Sequence, residues 1–416
     1  MSNPLDLKSA TPLTVHPTPG VQPAYGVRTD VPPRLRNVLS LADFEPLAQR
    51  HLPRPLYGYI AGAAEDSRSL QANRDSFSKI QLLPRVLVNV AQRSQQIELF
   101  GKKYASPFGV APVGISAISA YRGDIVLAQS AQEAGIPAIM SGSSLIPMET
   151  VYEAAPDTWF QAYLPGDQEK RDALVQRIRS TGFATLVITV DIPVWANREN
   201  NVRTGFSLPL RPSLRLAWDG VTRPRWLCGT FLRTLVKHGM PHFENSFATR
   251  GAPMVSVSAL RDTTGRDHLC WEDIARIREQ WPGHLILKGI LSPQDALQAR
   301  SLGIDGIIVS NHGGRQLDGA VDPLSMLPDV CAAAGQKITI MMDGGIRRGT
   351  DVLKAIALGA RCVFLGRPFM FAAAVAGAHG VKHAAQLLHD EIDRDMAMLG
   401  TCSVQEVTTS CIRQSP

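Results

Sequence analysis

Eight short, almost wholly apolar runs recur along this 416-residue chain and alternate with longer segments of helical periodicity. The apolar runs span residues 107–113, 137–141, 158–163, 185–191, 284–289, 306–311, 338–343 and 362–366. The helical segments include residues 124–134, 168–181, 271–280, 293–302 and 350–358. Buried strands that alternate with helices form a parallel sheet covered on both faces. We therefore predict an α/β fold with a closed (β/α)8 barrel, or TIM barrel.

The N-terminal region differs in composition from the rest of the chain. Residues 1–35 contain seven prolines among small polar residues, which predicts an extended or disordered leader, and the barrel unit is expected over residues 36–416. A helical pattern starts at Leu39 and predicts an N-terminal helical extension. The chain shows neither a secretory signal nor an apolar run of about 18 residues, so we expect a cytoplasmic protein without a membrane-spanning helix.

Cysteine and histidine spacing gives little support for a metal site. The six cysteines lie far apart without a C-x-x-C pair, which favours reduced thiols over a zinc or iron–sulfur site. His379 and His383 have a metal-like spacing of four residues, but no third ligand is evident. We expect both to lie on a solvated face of the final helix, 381–399, and predict no metal.

Chemistry in such barrels takes place at the C-terminal ends of the strands, and polar or glycine residues follow the predicted strands here. These strand-end residues, in chain order, are Gly114, Ser141, Gln161, Tyr163, Thr189, Asp191, Lys288, Ser310, His312, Asp343 and Gly366. Because the C-terminal ends of parallel strands meet at one end of the barrel, these side chains are predicted to form a single site.

The sixth run begins with the apolar residues 306–309, and these are directly followed by the segment Ser310-Asn311-His312-Gly313-Gly314-Arg315-Gln316-Leu317-Asp318. An imidazole can accept a proton, and a guanidinium three residues later can hold a carboxylate through two hydrogen bonds. The alternative is a helix N-terminus at which Arg315 pairs with a neighbouring carboxylate. Since the other strand ends also carry reactive groups, we favour a catalytic base next to an anion clamp.

The loops after the seventh and eighth predicted strands have the character of a phosphate site. Gly345 and Gly366 offer backbone amides, and Arg347 and Arg367 offer positive charge. The G-x-G-x-x-G fingerprint and the Walker loop are both absent from the sequence, which argues against a nicotinamide-binding Rossmann domain and against ATP. A phosphorylated cofactor or substrate is therefore expected.

With these motifs in place, residues 39–412 resemble the FMN-dependent family that oxidises α-hydroxy acids, which includes glycolate oxidase, L-lactate dehydrogenase and mandelate dehydrogenase. The resemblance rests on the S-N-H-G-G-R-Q-L-D segment together with D-G-G-I-R-R-G-T-D and L-G-R-P. It implies FMN at the strand ends and oxidation of an L-2-hydroxy acid to the 2-oxo acid. It also implies a homo-oligomer, specifically a tetramer.

The resemblance assigns roles to individual residues. It makes His312 the base that takes the substrate's proton, with Asp191 stabilising the imidazolium that forms. Lys288 would lie where negative charge grows on the reduced flavin. Two mechanisms stay open, since His312 could abstract either the α-proton or the hydroxyl proton. The residues implied to bind substrate are Tyr59, Tyr163, Arg198 and Arg315.

The residues implied to bind FMN fall into three groups. Those implied to contact the ring are Pro112, Val113, Gly114, Ser141, Gln161, Thr189, Lys288 and Ser310. Asp343 would bind the ribityl chain, and the phosphate would lie at Gly345, Arg347, Gly366 and Arg367. Oxidases of the family usually carry alanine where Gly114 stands, which favours a dehydrogenase. Ser143 replaces a bulky tryptophan of glycolate oxidases, and Trp195 is expected on the opposite pocket wall.

A basic insertion separates the fourth and fifth predicted strands. Residues 201–250 hold eight Lys or Arg against two acidic residues, a local charge of 8 − 2 = +6 that equals the whole excess of the protein. Leucines and tryptophans interleave with these cations, as in an interfacial membrane anchor. The resemblance implies that this loop is the membrane-contacting insertion of the family's bacterial dehydrogenases. We take residues 207–250 as the anchor, with a lid or tetramer contact as the alternative, and do not expect nucleic-acid binding.

We therefore expect a peripheral FMN dehydrogenase on the inner face of the cell membrane, acting on a lactate- or mandelate-like acid and reducing a quinone. A soluble oxidase that makes hydrogen peroxide remains an alternative within the class. An FMN barrel isomerase and a non-catalytic flavin-binding protein remain alternatives from other classes. Neither of those two needs a base paired with a carboxylate clamp.

Overall fold

The computed structural model describes residues 31–207, 213–256 and 266–414. Twelve strands occur in these ranges. They are β1 (Ile80–Leu82), β2 (Ile97–Leu99), β3 (Lys102–Tyr104), β4 (Phe108–Val110), β5 (Ile139–Ser141), β6 (Trp159–Ala162), β7 (Thr185–Thr189), β8 (His284–Ile290), β9 (Gly306–Val309), β10 (Thr339–Asp343), β11 (Cys362–Leu365) and β12 (Ile412–Gln414). Strands β4 to β11 coincide with the eight predicted apolar runs.

The eight strands β4 to β11 form one parallel sheet in the order β4, β11, β10, β9, β8, β7, β6, β5. The sheet closes where Val110 forms a parallel bridge with Ala138 and donates its N–H to the Pro137 carbonyl at 2.9 Å. Closure pairs both edges of the sheet, so the barrel leaves neither edge strand open. The predicted (β/α)8 barrel is confirmed.

Sixteen α-helices surround or extend the barrel within the described ranges. They are α1 (Phe44–His51), α2 (Arg54–Ala61), α3 (Arg68–Ser78), α4 (Ser116–Ser119), α5 (Gly123–Glu133), α6 (Met148–Ala154), α7 (Gln168–Thr181), α8 (Glu199–Thr204), α9 (Leu214–Val221), α10 (Pro224–Trp226), α11 (Arg233–His238), α12 (Trp271–Gln280), α13 (Pro293–Ser301), α14 (Pro323–Ala334), α15 (Gly349–Ala357) and α16 (Arg367–Leu399). Side-chain oxygens of Asp167, Ser292 and Asp322 cap α7, α13 and α14 at their N-termini. The five predicted helical segments correspond to α5, α7, α12, α13 and α15.

Phe100 closes the barrel at the N-terminal ends of its strands. This residue forms the turn between β2 and β3, and its ring lies 5.6 Å from the Trp159 ring and 4.8 Å from the His284 ring. Trp159 and His284 are the first residues of β6 and β8. Because this end is filled by aromatic side chains, a ligand must approach from the C-terminal ends of the strands.

The N-terminal extension packs on the final helix, α16. The Leu35 side chain is fully buried, and Pro33–Leu35 forms a 3-10 helix. The predicted boundary of the leader at residue 35 therefore lies too far along the chain, because Pro33–Leu35 already belongs to the folded part. Residues 1–30 lie outside the described ranges. His383 was expected to be solvated, and that is wrong: it is buried beside Phe44 and bonds the Val38 carbonyl at 2.8 Å.

The insertion between β7 and β8 contains α8 to α11 and a π-helical turn, Leu227–Leu232, that connects α10 to α11. Trp226 anchors it, because its buried indole donates Nε1–H to the Ile118 carbonyl at 2.8 Å. The Arg233 guanidinium lies 3.9 Å from the centre of the Tyr121 ring. These contacts hold the insertion against α4 and the start of α5. Leu208, Leu210 and Arg211, which belong to the predicted membrane anchor, lie outside the described residues.

Candidate active site

His312 and Asp191 form a hydrogen-bonded pair at the ends of two barrel strands. The Nδ1 atom of His312 lies 3.0 Å from Oδ1 of Asp191, and both side chains are largely buried. Burial lowers the pKa of His312, which keeps the imidazole neutral near pH 7. Burial alone would raise the pKa of Asp191, but His312 and Lys288 outweigh it and the net shift is downward. The pair therefore combines a neutral base with an ionised partner.

The backbone around His312 is held in an unusual conformation. His312 has a φ of 59°, in the left-handed region that non-glycine residues rarely adopt, and its N–H donates to Ser310 Oγ at 2.9 Å. Gly314 follows with a φ of 74°, and a Cβ there would lie 2.5 Å from the Leu70 nitrogen. The glycine is thus required by both conformation and space, and the chain places the His312 imidazole toward Asp191.

Lys288 lies beside this pair and is paired itself. Its ammonium group is 2.9 Å from Oδ2 of Asp343 and donates to Ser310 Oγ at 3.0 Å. Ser310 in turn hydrogen-bonds Asp343. Burial would lower the pKa of Lys288, but the carboxylates of Asp343 and Asp191 outweigh it and raise that pKa. A fixed positive charge therefore lies next to the pocket, where it can stabilise negative charge that develops on a ligand.

Arg315 and Arg198 bring further positive charge to the wall of the same pocket. Arg315 donates through Nη1 to the Tyr59 and Gly62 carbonyls, at 2.7 and 2.8 Å, and its guanidinium lies 4.9 Å from the centre of the Tyr59 ring. Burial, and then Arg198, lowers the pKa of Arg315 to about 10, so the group remains charged at neutral pH. Arg198 donates Nε–H to the Arg315 carbonyl at 3.0 Å. The two arginines are thus positioned together.

One large cavity, open to solvent, joins most of the predicted site residues at the strand ends. The predicted residues on its wall are Tyr59, Pro112, Val113, Gly114, Tyr163, Arg198, Lys288, His312, Arg315, Asp343, Gly345, Arg347, Gly366 and Arg367. Five others do not line it. They are Ser141, Gln161, Thr189, Asp191 and Ser310. Ser143 and Trp195 both lie on the wall, as expected for residues that determine pocket size.

The predicted phosphate end contains two buried cations with different environments. Burial, and then Arg74, lowers the pKa of Arg347 to about 10. Arg367 donates to the carbonyls of Ile60, Gly62 and Gly313 at 2.8–3.0 Å. In the structure Arg367 thus joins the N-terminal extension to the catalytic loop. Its contact with a phosphate stays a prediction, as does that of Arg347.

Two unpartnered buried atoms lie at strand ends beside the cavity, although their residues do not line it in this structure. Among the described residues, Gln161 Nε2 and Thr189 Oγ1 are buried without a hydrogen-bond partner. Both were predicted to contact a flavin ring, which carries nitrogen and oxygen atoms along one edge. Unpaired buried polar atoms are costly, so a bound polar group at this place would stabilise them. The residues present therefore fit FMN.

The sequence interpretation missed part of the pocket wall. Phe243, Ser246 and Arg266 line the cavity. Phe243 and Ser246 belong to the insertion between β7 and β8, and Arg266 lies between the insertion and α12. The Arg266 guanidinium lies 5.2 Å from the centre of the Tyr163 ring, and burial lowers its pKa. Arg266 lies outside the basic segment 201–250 that was assigned to a membrane surface, and its spacing gave no signal that it turns toward the pocket.

Fold and site together define a (β/α)8-barrel enzyme with a buried base and a pocket large enough for a cofactor and a substrate. The model of the FMN-dependent dehydrogenase family matches residues 48–414. The chain belongs to this family, and its cofactor is FMN. (S)-Mandelate dehydrogenase of Pseudomonas putida is 36% identical over 88% of this chain and 91% of that protein. L-Lactate dehydrogenase of Pectobacterium atrosepticum is 38% identical over 89% of this chain and 96% of its own length.

Solved structures agree with this assignment. The crystal structure of the monotopic membrane protein (S)-mandelate dehydrogenase superposes with a TM-score of 0.84 at 34% identity, covering 91% of this chain and all of that chain (100%). Mandelate oxidase with benzoyl-formic acid superposes with a TM-score of 0.73 at 33% identity, covering 89% of this chain and 96% of that one. The predicted family, barrel, oxidoreductase class and FMN cofactor are confirmed.

Proposed function

We propose that this protein is an FMN-dependent dehydrogenase that oxidises an L-2-hydroxy acid to the 2-oxo acid and passes the electrons to a membrane quinone. The observation that carries the proposal is the neutral His312 imidazole, held by Asp191 in the same pocket as Arg198 and Arg315. Oxidation of a hydroxy acid needs a proton acceptor and an anchor for a carboxylate, and this pocket provides both.

Each residue has a distinct part in this reaction. His312 accepts the proton that leaves the substrate, either from the α-carbon or from the hydroxyl group, and Asp191 stabilises the imidazolium. Arg315, Arg198 and Tyr59 bind the substrate carboxylate. Tyr163 hydrogen-bonds the hydroxyl group, which fits the raised pKa that burial gives its phenol, since the proton stays in place near pH 7.

Most of the proposed cofactor residues line the same pocket, and Ser141, Gln161, Thr189 and Ser310 lie behind its wall at the strand ends. FMN, when bound, supplies the acceptor for two electrons. Lys288 would neutralise negative charge on its ring, while Gln161 and Thr189 would hydrogen-bond the ring edge. Asp343 would hold the ribityl chain. Residues proposed against the ring face are Pro112, Val113, Gly114, Ser141 and Ser310, and those proposed at the phosphate are Gly345, Arg347, Gly366 and Arg367.

The exposed surface of the insertion supports attachment to the membrane. Leu214, Trp218 and Val236 are 92%, 69% and 81% exposed, and the cations Arg215 and Lys237 lie among them. Apolar side chains interleaved with cations bind the interface of anionic bilayers. In the part of the chain that the structure describes, no helix is long and apolar enough to cross a membrane. We therefore propose peripheral association with the inner face of the cell membrane, and a tetramer remains a prediction.

Anaerobic titration tests the proposed activity. The FMN-loaded protein, mixed with L-lactate, L-mandelate and other 2-hydroxy acids, should lose its flavin absorbance with the preferred acid and retain it with the D-enantiomer. Reoxidation is then followed with a quinone and, separately, with oxygen. Absence of bleaching by every acid would contradict the proposal, and rapid reoxidation by oxygen with formation of hydrogen peroxide would favour the soluble oxidase.

A further inference from the structure

A second cavity lies between the insertion and the barrel, away from the strand ends. Its volume is about 250 Å³, and it is open to solvent. This volume lies just below the roughly 300–1,000 Å³ of typical small-molecule sites, so the cavity has room for a small ring rather than a drug-sized molecule. Apolar surface makes up the larger part of its wall and includes Ala117, Leu145, Ile146 and Pro241, while Arg122, Thr150, Glu244 and Arg250 also line the cavity. The cavity therefore suits a largely apolar ligand.

Helix α11 separates this cavity from the exposed apolar surface. Thr234 and His238, four residues apart, line the cavity. Leu232 and Val236, offset from them by two residues, are exposed at 44% and 81%. Residues two apart lie on nearly opposite sides of a helix, whereas residues four apart share a side. One side of α11 thus faces the proposed membrane interface and the other faces the cavity.

Two hydrogen-bonding groups interrupt the apolar wall on this helix. The Thr234 hydroxyl oxygen is buried and finds no hydrogen-bond partner among the described residues. The imidazole of His238 is exposed to solvent and its Nε2 lies 3.1 Å from the Tyr121 hydroxyl. Residues at this spacing lie about 5–6 Å apart on a helix surface. A flat ligand with a carbonyl oxygen at each end could therefore contact both.

The two cavities are lined by residues that lie close together in the chain. Ile115 and Ser143 line the catalytic pocket, while Ala117 and Leu145, two residues further along each segment, line the second cavity. Phe243 lines the first and the next residue, Glu244, lines the second. Only short stretches of chain separate a ligand in one cavity from a ligand in the other, which favours direct electron transfer between them.

We propose that this second cavity binds the ring of a lipid-soluble quinone, with its carbonyl groups near Thr234 and His238 and its tail leaving beside α11. This inference rests on the proposed function. Oxidation of the 2-hydroxy acid releases two electrons and two protons, and the quinone takes up two of each to become the hydroquinone. His238, being exposed, can exchange protons with solvent during this step.

Calorimetric titration of the FMN-loaded protein in phospholipid nanodiscs with a short-tail benzoquinone tests the site without relying on turnover. Thr234→Val keeps the shape of the side chain and removes the hydroxyl group, so Kd should rise roughly 3- to 10-fold, as for the loss of one hydrogen bond. Ala117→Leu should weaken binding further by filling the cavity. Thr222→Val, in the insertion but outside the cavity, is the matched control and should leave Kd unchanged.

Substrate-driven bleaching of the flavin separates this proposal from the proposed function, because it does not involve the second cavity. Bleaching should be normal in all three variants. Unchanged quinone affinity in both Thr234→Val and Ala117→Leu would overturn the site, as would equal competition by an isoprenoid alcohol that lacks the quinone ring. Failure of every 2-hydroxy acid to bleach the wild-type flavin would instead overturn the proposed function.

Discussion

Asn73 and Asn311 exchange two side-chain hydrogen bonds of 2.7 Å each, and both residues are buried. Asn73 lies on α3 of the N-terminal extension, while Asn311 directly precedes the base His312. Asn311 Oδ1 also accepts the N–H of Gly314 at 3.1 Å. The extension therefore holds the catalytic loop through a pair of amides, and it is part of the site's support.

Asn73→Ala should lower the free energy of unfolding by about 1–3 kcal/mol, because it leaves the buried Asn311 amide partly unpaired. Urea titration of the single variants and of the Asn73→Ala, Asn311→Ala double variant measures the coupling between them. Gln71→Ala, at an exposed position of the same helix, is the control and should change stability little. Strictly additive effects of the two asparagine substitutions would contradict a direct interaction.

His312→Gln should keep FMN and 2-oxo-acid binding while the rate of flavin reduction by substrate falls by a factor on the order of 10² to 10⁴, the range that general-base catalysis supplies. Stopped-flow absorbance under anaerobic conditions measures this rate. His379→Gln, at an exposed position of α16, is the control. A near-normal rate in His312→Gln would rule out this histidine as the base.

The pH at which the rate of flavin reduction falls to half its maximum should lie below 6.5, the pKa of a free imidazole, because burial lowers the pKa of His312. Since only the neutral imidazole accepts a proton, the rate should fall at more acidic pH, below the lowered pKa. Stopped-flow rates of flavin reduction, measured at a series of pH values above and below 6.5, give the apparent pKa. An apparent pKa at or above 6.5 would contradict the effect assigned to burial.

The lowered pKa of His312 also predicts how the free energy of unfolding depends on pH. A group whose pKa is lower in the folded protein binds fewer protons there than in the unfolded chain, so stability declines as pH falls below the unfolded value of 6.5. Asp191 has the same direction of shift and adds to the decline at still lower pH. Glutamine does not titrate, so the free energy of unfolding of His312→Gln lacks the part of this decline that comes from His312. The difference in unfolding free energy between wild type and His312→Gln should therefore change as pH falls below 6.5, and a constant difference would contradict this linkage.

Gly114→Ala should weaken substrate binding. A Cβ at this position would lie 2.9 Å from Ser143 Cβ and 3.3 Å from the Tyr59 hydroxyl oxygen, so one of the two must move. Tyr59 is proposed to bind the substrate carboxylate, and its displacement should raise the substrate concentration needed for half-maximal bleaching. Adding Ser143→Gly removes the closer contact and should restore part of the affinity. If the double variant binds no better than Gly114→Ala, the clash with Ser143 is not the cause.

Trp218→Ser and Val236→Ser should each reduce binding to anionic vesicles by roughly tenfold, because burial of one large apolar side chain contributes about 1.5 kcal/mol or more. Sedimentation with vesicles measures binding, which should also weaken with added salt. Met398→Ser removes an exposed apolar side chain outside the insertion and is the control. Equal losses in all three variants would show that the effect is not specific to the insertion.

Point substitutions test membrane binding by the insertion better than a deletion of residues 207–245 would. Phe243 lines the catalytic pocket, and the buried Asn245 accepts the N–H of Met148 at 2.8 Å. The C-terminal part of the insertion thus supports the barrel and the pocket. Its deletion would remove these contacts together with the proposed anchor.

The sequence by itself determined the barrel and the location of its chemistry. Apolar runs such as 185–191 and 284–289 can be buried on both faces only in a parallel sheet, and the period of the segments between them is helical. Polar residues that follow the strands, such as Asp191 and His312, had to meet because the strands are parallel. These features are local in the chain, so a pattern within one segment reveals them.

Only the tertiary structure decided which distant groups pair. Arg367 bonds three carbonyls instead of standing free, His383 is buried, Asn73 supports the catalytic loop, and Arg266 turns toward Tyr163. Hydrogen bonds and burial depend on the neighbours that folding brings within about 3–4 Å, and those neighbours lie far away along the chain. Spacing along the sequence carries little information about such contacts, because each depends on how whole helices dock onto the barrel.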